Sequence, residues 1–138
     1  MPTRHHARVR DTDRGWERYR SGLARVGDAR VVVGLTAEAG ATRHPSGSTV
    51  LDAALAAEFG TPTQPATPFL RAWADGDASA ESELRSAAHD VEDDPARTAS
   101  TLDRAGARWA DAVRDRVVGE GLVDTGLLRD SISHEVRS

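Results

Sequence analysis

An α+β domain is predicted, a small sheet packed with several helices, with a long helix near the C-terminal half and a C-terminal strand. Three observations lead there. Apolar residues recur at helical spacing over most of the 138-residue chain, only two stretches at its opposite ends read as strands, and neither a βαβ alternation nor an internal repeat is present. The length fits one domain, residues 13–138, preceded by an arm over residues 1–12 that lacks periodicity and carries His5, His6 and several Arg.

The elements follow in order. After Asp13, a plausible N-cap, Trp16, Tyr19, Leu23 and Val26 share a helix face, and Gly27-Asp28 closes the element. Val31-Val32-Val33-Gly34-Leu35 is short and β-branched, as a strand requires. Residues 40–48 are too polar and turn-rich to continue it, and are expected to return to the sheet or to form a loose loop. Val50, Leu51, Ala54, Leu55 and Phe59 fit a short helix ended by Gly60. The next segment, Thr61-Pro62-Thr63-Gln64-Pro65-Ala66-Thr67-Pro68, has three prolines within seven residues, so it is extended and short of backbone donors. Thr67-Pro68 has the form of a cap and first-turn proline, launching Phe69, Leu70 and Trp73 on one helix face before Gly76-Asp77. Leu84, Ala87, Ala88 and Val91 stripe a further helix rich in acids, and Asp94-Pro95 starts the longest one, through Leu102, Ala105, Trp109, Ala112, Val113 and Val117 to Gly119 and Gly121. Asp124 is placed to cap a turn through Leu127 and Leu128. Ile132, His134 and Val136 then alternate with Ser131, Ser133 and Glu135 as a half-buried strand does.

Composition removes several functions. No cysteine is present, which excludes disulfides, thiolate metal sites and cysteine nucleophiles. No apolar run approaches the roughly 18 residues of a membrane span, and the N-terminus lacks a signal-peptide core, so a protein that works without export or membrane is expected. All 18 basic residues are Arg and Asn is absent, which points to a GC-rich genome more than to a function. The net charge of −4 argues against coating nucleic acid. Residues 1–30 carry eight Arg against four acids, and residues 52–94 carry two Arg against ten. Such polarity suits head-to-tail contact between copies, or two independently solvated surfaces. If copies close into a ring, the acidic stretch 77–94 faces its lumen or a neighbour's basic N-terminal region.

The five histidines have no metal-ligand spacing, no G-x-S-x-G elbow exists, and the absence of Lys disfavours a P-loop. Asp124-Thr125-Gly126 matches the local signature of aspartic proteases. That chemistry needs a second carboxylate and an all-β frame, and only 14 residues lie beyond Asp124. Neither an enzymatic activity nor a cofactor is expected. The segment from Glu58 and Phe59 through Pro65 to Pro68, Phe69, Leu70 and Arg71 reads as a stiff recognition arm, since proline lowers the entropy lost on docking. An ordinary loop tied down by two core phenylalanines reads equally well.

Two separated motifs in this order, Glu58-Phe59-Gly60-Thr61 with Pro68-Phe69-Leu70-Arg71, and Leu122-Val123-Asp124-Thr125-Gly126-Leu127-Leu128-Arg129-Asp130-Ser131-Ile132, resemble the tail-completion, or head-tail connector, family of neck proteins of tailed phages. The likeness covers roughly residues 31–136 and departs from the family before Asp124, where Val118-Gly119-Glu120-Gly121 replaces a longer basic loop. The resemblance implies a non-enzymatic virion protein, assembled in the host cytoplasm, that forms a ring at the head-tail junction, commonly a hexamer. Its implied partners are further copies of itself, a head-side connector or stopper, a tail-tube or tail-terminator protein, and viral DNA passing through the lumen without sequence recognition. Glu58, Phe59, Pro65, Pro68, Phe69, Leu70 and Arg71 are expected at or near the subunit boundary, and Asp124, Thr125, Gly126 and Ser131 form an architectural motif. A small DNA-binding or regulatory module using the Arg-rich N-terminus is the alternative.

Overall fold

The computed structural model describes residues 15–76, 78–122 and 126–137. The predicted arm, the Asp13 cap, and Asp124 and Thr125 lie outside the described residues. The architecture is α+β: a two-stranded antiparallel sheet against a long helix, with shorter helices around it.

Helix α1 (Trp16–Val26) starts at Gly15 and leads into strand β1 (Arg30–Leu35). β1 pairs with the C-terminal strand β2 (Ile132–Arg137) in a register that sets Leu35 opposite Ile132 and Arg30 opposite Arg137. Chain ends far apart in sequence therefore close the domain. The sheet lies on α6 (Thr98–Gly119), the long predicted helix, which is reached through a 3-10 turn (Pro95–Arg97) capped by the Asp94 side chain. Gly106 sits where helix and sheet come closest: a Cβ there would stand 2.6 Å from His134 Cδ2 and 2.7 Å from Val31 Cγ2. His134 faces the helix, its Nε2 2.8 Å from Asp103 Oδ1.

The core is small-sided. Val113, Val117 and Ala110 from α6 meet Ile132, Ala54 and Phe69, with Val33, Leu35, Trp73 and Leu128 packed around them. Two expectations need correction. Residues 40–48 do not rejoin the sheet: a short helix α2 (Ala37–Ala41), capped by Thr36, precedes a tight loop whose Arg43 and Thr49 bridge to each other. The loop closes on itself because Thr49 opens α3 (Val50–Phe59) through a capping box with Asp52, fixing both its ends. Those bonds from the Thr49 backbone and side chain hold the Asp52 carboxyl below its ordinary pKa. Nor is Thr67-Pro68 a helix start. Helix α4 (Leu70–Gly76) begins later, with the Phe69 carbonyl accepting the first helical bond from Trp73 N–H at 3.1 Å. Helix α5 (Ala78–Asp93) then packs along α6, and α7 (Leu127–Ser131) turns the chain into β2.

Candidate functional site

The link between α3 and α4 is built on one carboxylate. Helix α3 ends at Gly60, whose φ of 78° is open to glycine and which leaves no room for a Cβ, since the Ala66 nitrogen would stand 2.8 Å from it. Thr61 and Gln64 then form a tight turn, and Thr67 N–H returns to the Ala57 carbonyl at 2.7 Å. This fold-back sets Glu58 directly under the N-terminus of α4. Its Oε2 accepts the N–H groups of Phe69 and Leu70, both at 3.0 Å. Its Oε1 accepts the Arg71 N–H at 3.0 Å and the Arg71 Nε at 2.9 Å. A guanidinium N–H of Arg71 also donates to the Glu58 carbonyl oxygen.

Three donors that a helix start leaves without partners are thus satisfied by a side chain eleven to thirteen residues away. The negative charge sits at the positive end of the helix dipole. Glu58 is only 7% exposed. Burial alone would raise its pKa; the bonds from Arg71 N–H, Leu70 N–H, the Arg71 guanidinium and Phe69 N–H together outweigh that and hold it below the ordinary 4.5. With both oxygens bonded to helix and guanidinium, Glu58 is a clasp between two helices.

The predicted boundary residues separate into two groups around the clasp. Phe69, 3% exposed, belongs to the core, and Leu70 packs against it. Phe59 stays 65% exposed with the Arg71 guanidinium 4.9 Å above its ring centre. Pro65 is exposed and Pro68 half-buried. The two phenylalanines are therefore not equivalent anchors: one holds the protomer together and the other faces outward. Of the second motif, Gly126 starts α7 with a φ of 79°, and Ser131 ends it. Leu128 of that helix touches the same core as Phe69, so the two motifs meet through packing.

A further surface feature lies on α3. Leu51, Leu55 and Phe59 recur every fourth residue on α3 and are all substantially exposed, as are Leu23, Leu84, Trp16 and Val118 elsewhere. Among the described residues eight large apolar side chains stay exposed, against five buried ones larger than Ala.

Further clefts lie among the described residues. A cleft of about 660 Å³ is lined by His44, Ser46 and Ser48 together with Gln64 and Leu128. His44 Nδ1 stands 3.0 Å from Ser46 Oγ, yet the same nitrogen accepts the Ser46 backbone N–H at 3.2 Å, so its lone pair already closes the turn. Trp73 and Trp109, 6.3 Å between ring centres, line a second cleft between α4, α5 and α6. Among the described residues no three His, Asp or Glu side chains gather in a way that could hold a metal ion, and no helix is long and apolar enough to cross a membrane. No family model, curated protein or solved structure matches the chain.

Proposed function

We propose that the chain is a non-enzymatic assembly subunit, a small α+β domain that completes its apolar burial against further copies of itself. Within that class we read it as a neck protein of a tailed virus, forming a ring at the head-tail junction that completes the tail or joins it to the capsid connector. The observation that carries the first step is the set of large apolar side chains held outside the core, Leu51, Leu55 and Phe59 of α3 among them. The second step rests on the resemblance of the two motifs. It gains support from their architectural use: Glu58 and Arg71 clasp α3 to α4, and Phe69 and Leu128 share one core.

Of the Arg-rich N-terminus that the DNA-binding alternative uses, Arg20 pairs with Glu17 and Arg18 lies 3.8 Å from Asp94 of the same chain, while Arg4, Arg8, Arg10 and Arg14 lie outside the described residues. Molar mass by light scattering across a concentration series, followed by electron microscopy of the large species, tests the proposal. Closed rings of six or more copies are expected, in keeping with cyclic symmetry through a head-to-tail contact. A stable dimer at every concentration that binds DNA at physiological salt would replace this reading with the DNA-binding one.

A further inference from the structure

Helix α3 is apolar on two faces. Val50, Ala54 and Ala57 point to the core side, while Leu51, Leu55 and Phe59 form a second stripe about 100° around the helix. A helix that is apolar nearly all round is normally buried all round, yet here the second stripe stands in solvent as a ridge. At its Phe59 end the ridge carries Arg71, about half exposed, so an aromatic ring and a guanidinium stand together. Aromatic and Arg side chains of this kind are the usual anchors of protein interfaces.

Elsewhere on the chain lies a complementary hollow. Between α1, α5 and α6 runs a groove of about 360 Å³, lined by Tyr19, Leu23, Val26, Leu84, Ala88 and Val91. Leu84 is 54% exposed. Trp16 stacks on Tyr19 at its α1 side, with 5.9 Å between ring centres. On its α5 side the groove carries one acidic residue, Glu92, whose side chain is exposed.

We infer that the α3 ridge of one copy docks into the α1/α5/α6 groove of the next, with Leu55 and Phe59 as the apolar insert and Arg71 facing Glu92. The contact cannot form within one chain. Helix α3 packs on α2 and α7, whereas α1 packs on the 3-10 turn and α5 packs along α6, so ridge and groove are held on different parts of the domain. Two different patches that fit each other make a heterologous contact, which propagates around a ring.

This inference rests on the self-assembly reading and specifies its surfaces. The chain has no cysteine, so single-cysteine variants of the full chain report one position each. Leu55→Cys and Leu84→Cys replace exposed side chains. Mixed at low concentration, then concentrated and oxidised, the pair is expected to give a disulfide-linked dimer that neither variant forms alone. Phe59→Asp is expected to keep the wild-type unfolding midpoint and to lose at least tenfold in association by light scattering. Linking of Leu55→Cys to itself would overturn the inference in favour of a ridge-to-ridge contact. Assembly of the reduced mixture with no cross-link would overturn it alone, leaving self-assembly through another face. A wild-type chain that stays monomeric throughout would remove the self-assembly reading and this contact with it.

Discussion

Replacing Glu58 tests the clasp most directly. Glu58→Ala strips acceptors from three backbone N–H groups at the α4 N-terminus and from the Arg71 guanidinium. Each hydrogen bond to a charged group is worth about 1.5–3 kcal/mol net, but water can reach part of a vacated helix end, so the contributions do not add. Removing one partner of a buried, bonded charge costs about 3–5 kcal/mol, and that is the expected loss. With a urea m-value of about 2 kcal/mol per molar, the unfolding midpoint falls by about 2 M. Glu58→Gln should lie in between. Its amide oxygen can serve Phe69 and Leu70 as Oε2 does, while its NH2 would meet two donors, the Arg71 N–H and Nε. Arg71→Ala should cost least, about 1 kcal/mol, because the guanidinium side of the pair is half in solvent and screened.

The pH dependence has a fixed sign. A carboxyl whose folded pKa lies below its unfolded value stabilises the fold fully above the unfolded value, here about 4.5, and loses that contribution as the pH falls through the folded value. The stability gap between wild type and Glu58→Gln should therefore be widest at pH 7 and narrow steadily below pH 4.5. Urea titrations of the three variants and wild type at pH 7, with wild type and Glu58→Gln repeated at pH 3, measure all of this. An Ala variant within about 0.5 kcal/mol of wild type, or an Arg71→Ala loss equal to it, would refute the assignment of the capping role to Glu58.

Phe69→Ala should cost about 3–5 kcal/mol by opening a cavity beside Val113 and Val117, read as a lowered midpoint in chemical denaturation. Gly106→Ala should cost about 1–3 kcal/mol by driving a methyl group into His134 and Val31, and the drop in melting temperature measures it. Gly60→Ala should destabilise by at least about 1 kcal/mol, since it combines a left-handed backbone with a close contact to the Ala66 nitrogen; a neutral result in calorimetry would remove the strain argument.

Much of the architecture was legible because it is local. The spacing of Tyr19, Leu23 and Val26, the β-branched run at residues 31–33 and the stripe through Val113 and Val117 each follow from one periodicity and yield the elements observed. The errors came where the deciding contact is remote. Helix α2 has no apolar period and exists because Thr36 caps it and α3 covers it. The α4 start was read from Thr67-Pro68, as neighbouring residues suggest, but its cap is supplied by Glu58 from across a turn. A fold-back of that kind leaves no periodic trace. Both phenylalanines around the proline link looked alike in sequence. The fold tells them apart because Phe59 falls in phase with Leu51 and Leu55, whereas Phe69 immediately precedes a helix pressed against α6.

The clasp also explains why an apolar ridge can stand in solvent without collapsing. Left free, Phe59 would be drawn toward any nearby apolar surface, and the α3 terminus would fray with it. Glu58, the next residue inward, is fixed to three backbone amides, and Arg71 is fixed in turn to both the Glu58 carboxylate and its carbonyl, with its charged face over the ring. The exposed pair is thereby ordered before any neighbour arrives. Ordering side chains on binding costs about 0.5–1.5 kcal/mol for each rotamer-rich group, and a ridge already held in place avoids part of that cost. The same bonds that stabilise the protomer therefore favour its association. It follows that Arg71→Ala, which costs the fold only about 1 kcal/mol, should weaken assembly more than it weakens the fold. Comparing its unfolding midpoint with its association by light scattering separates the two effects, and equal loss in both would mean that the guanidinium serves the protomer alone.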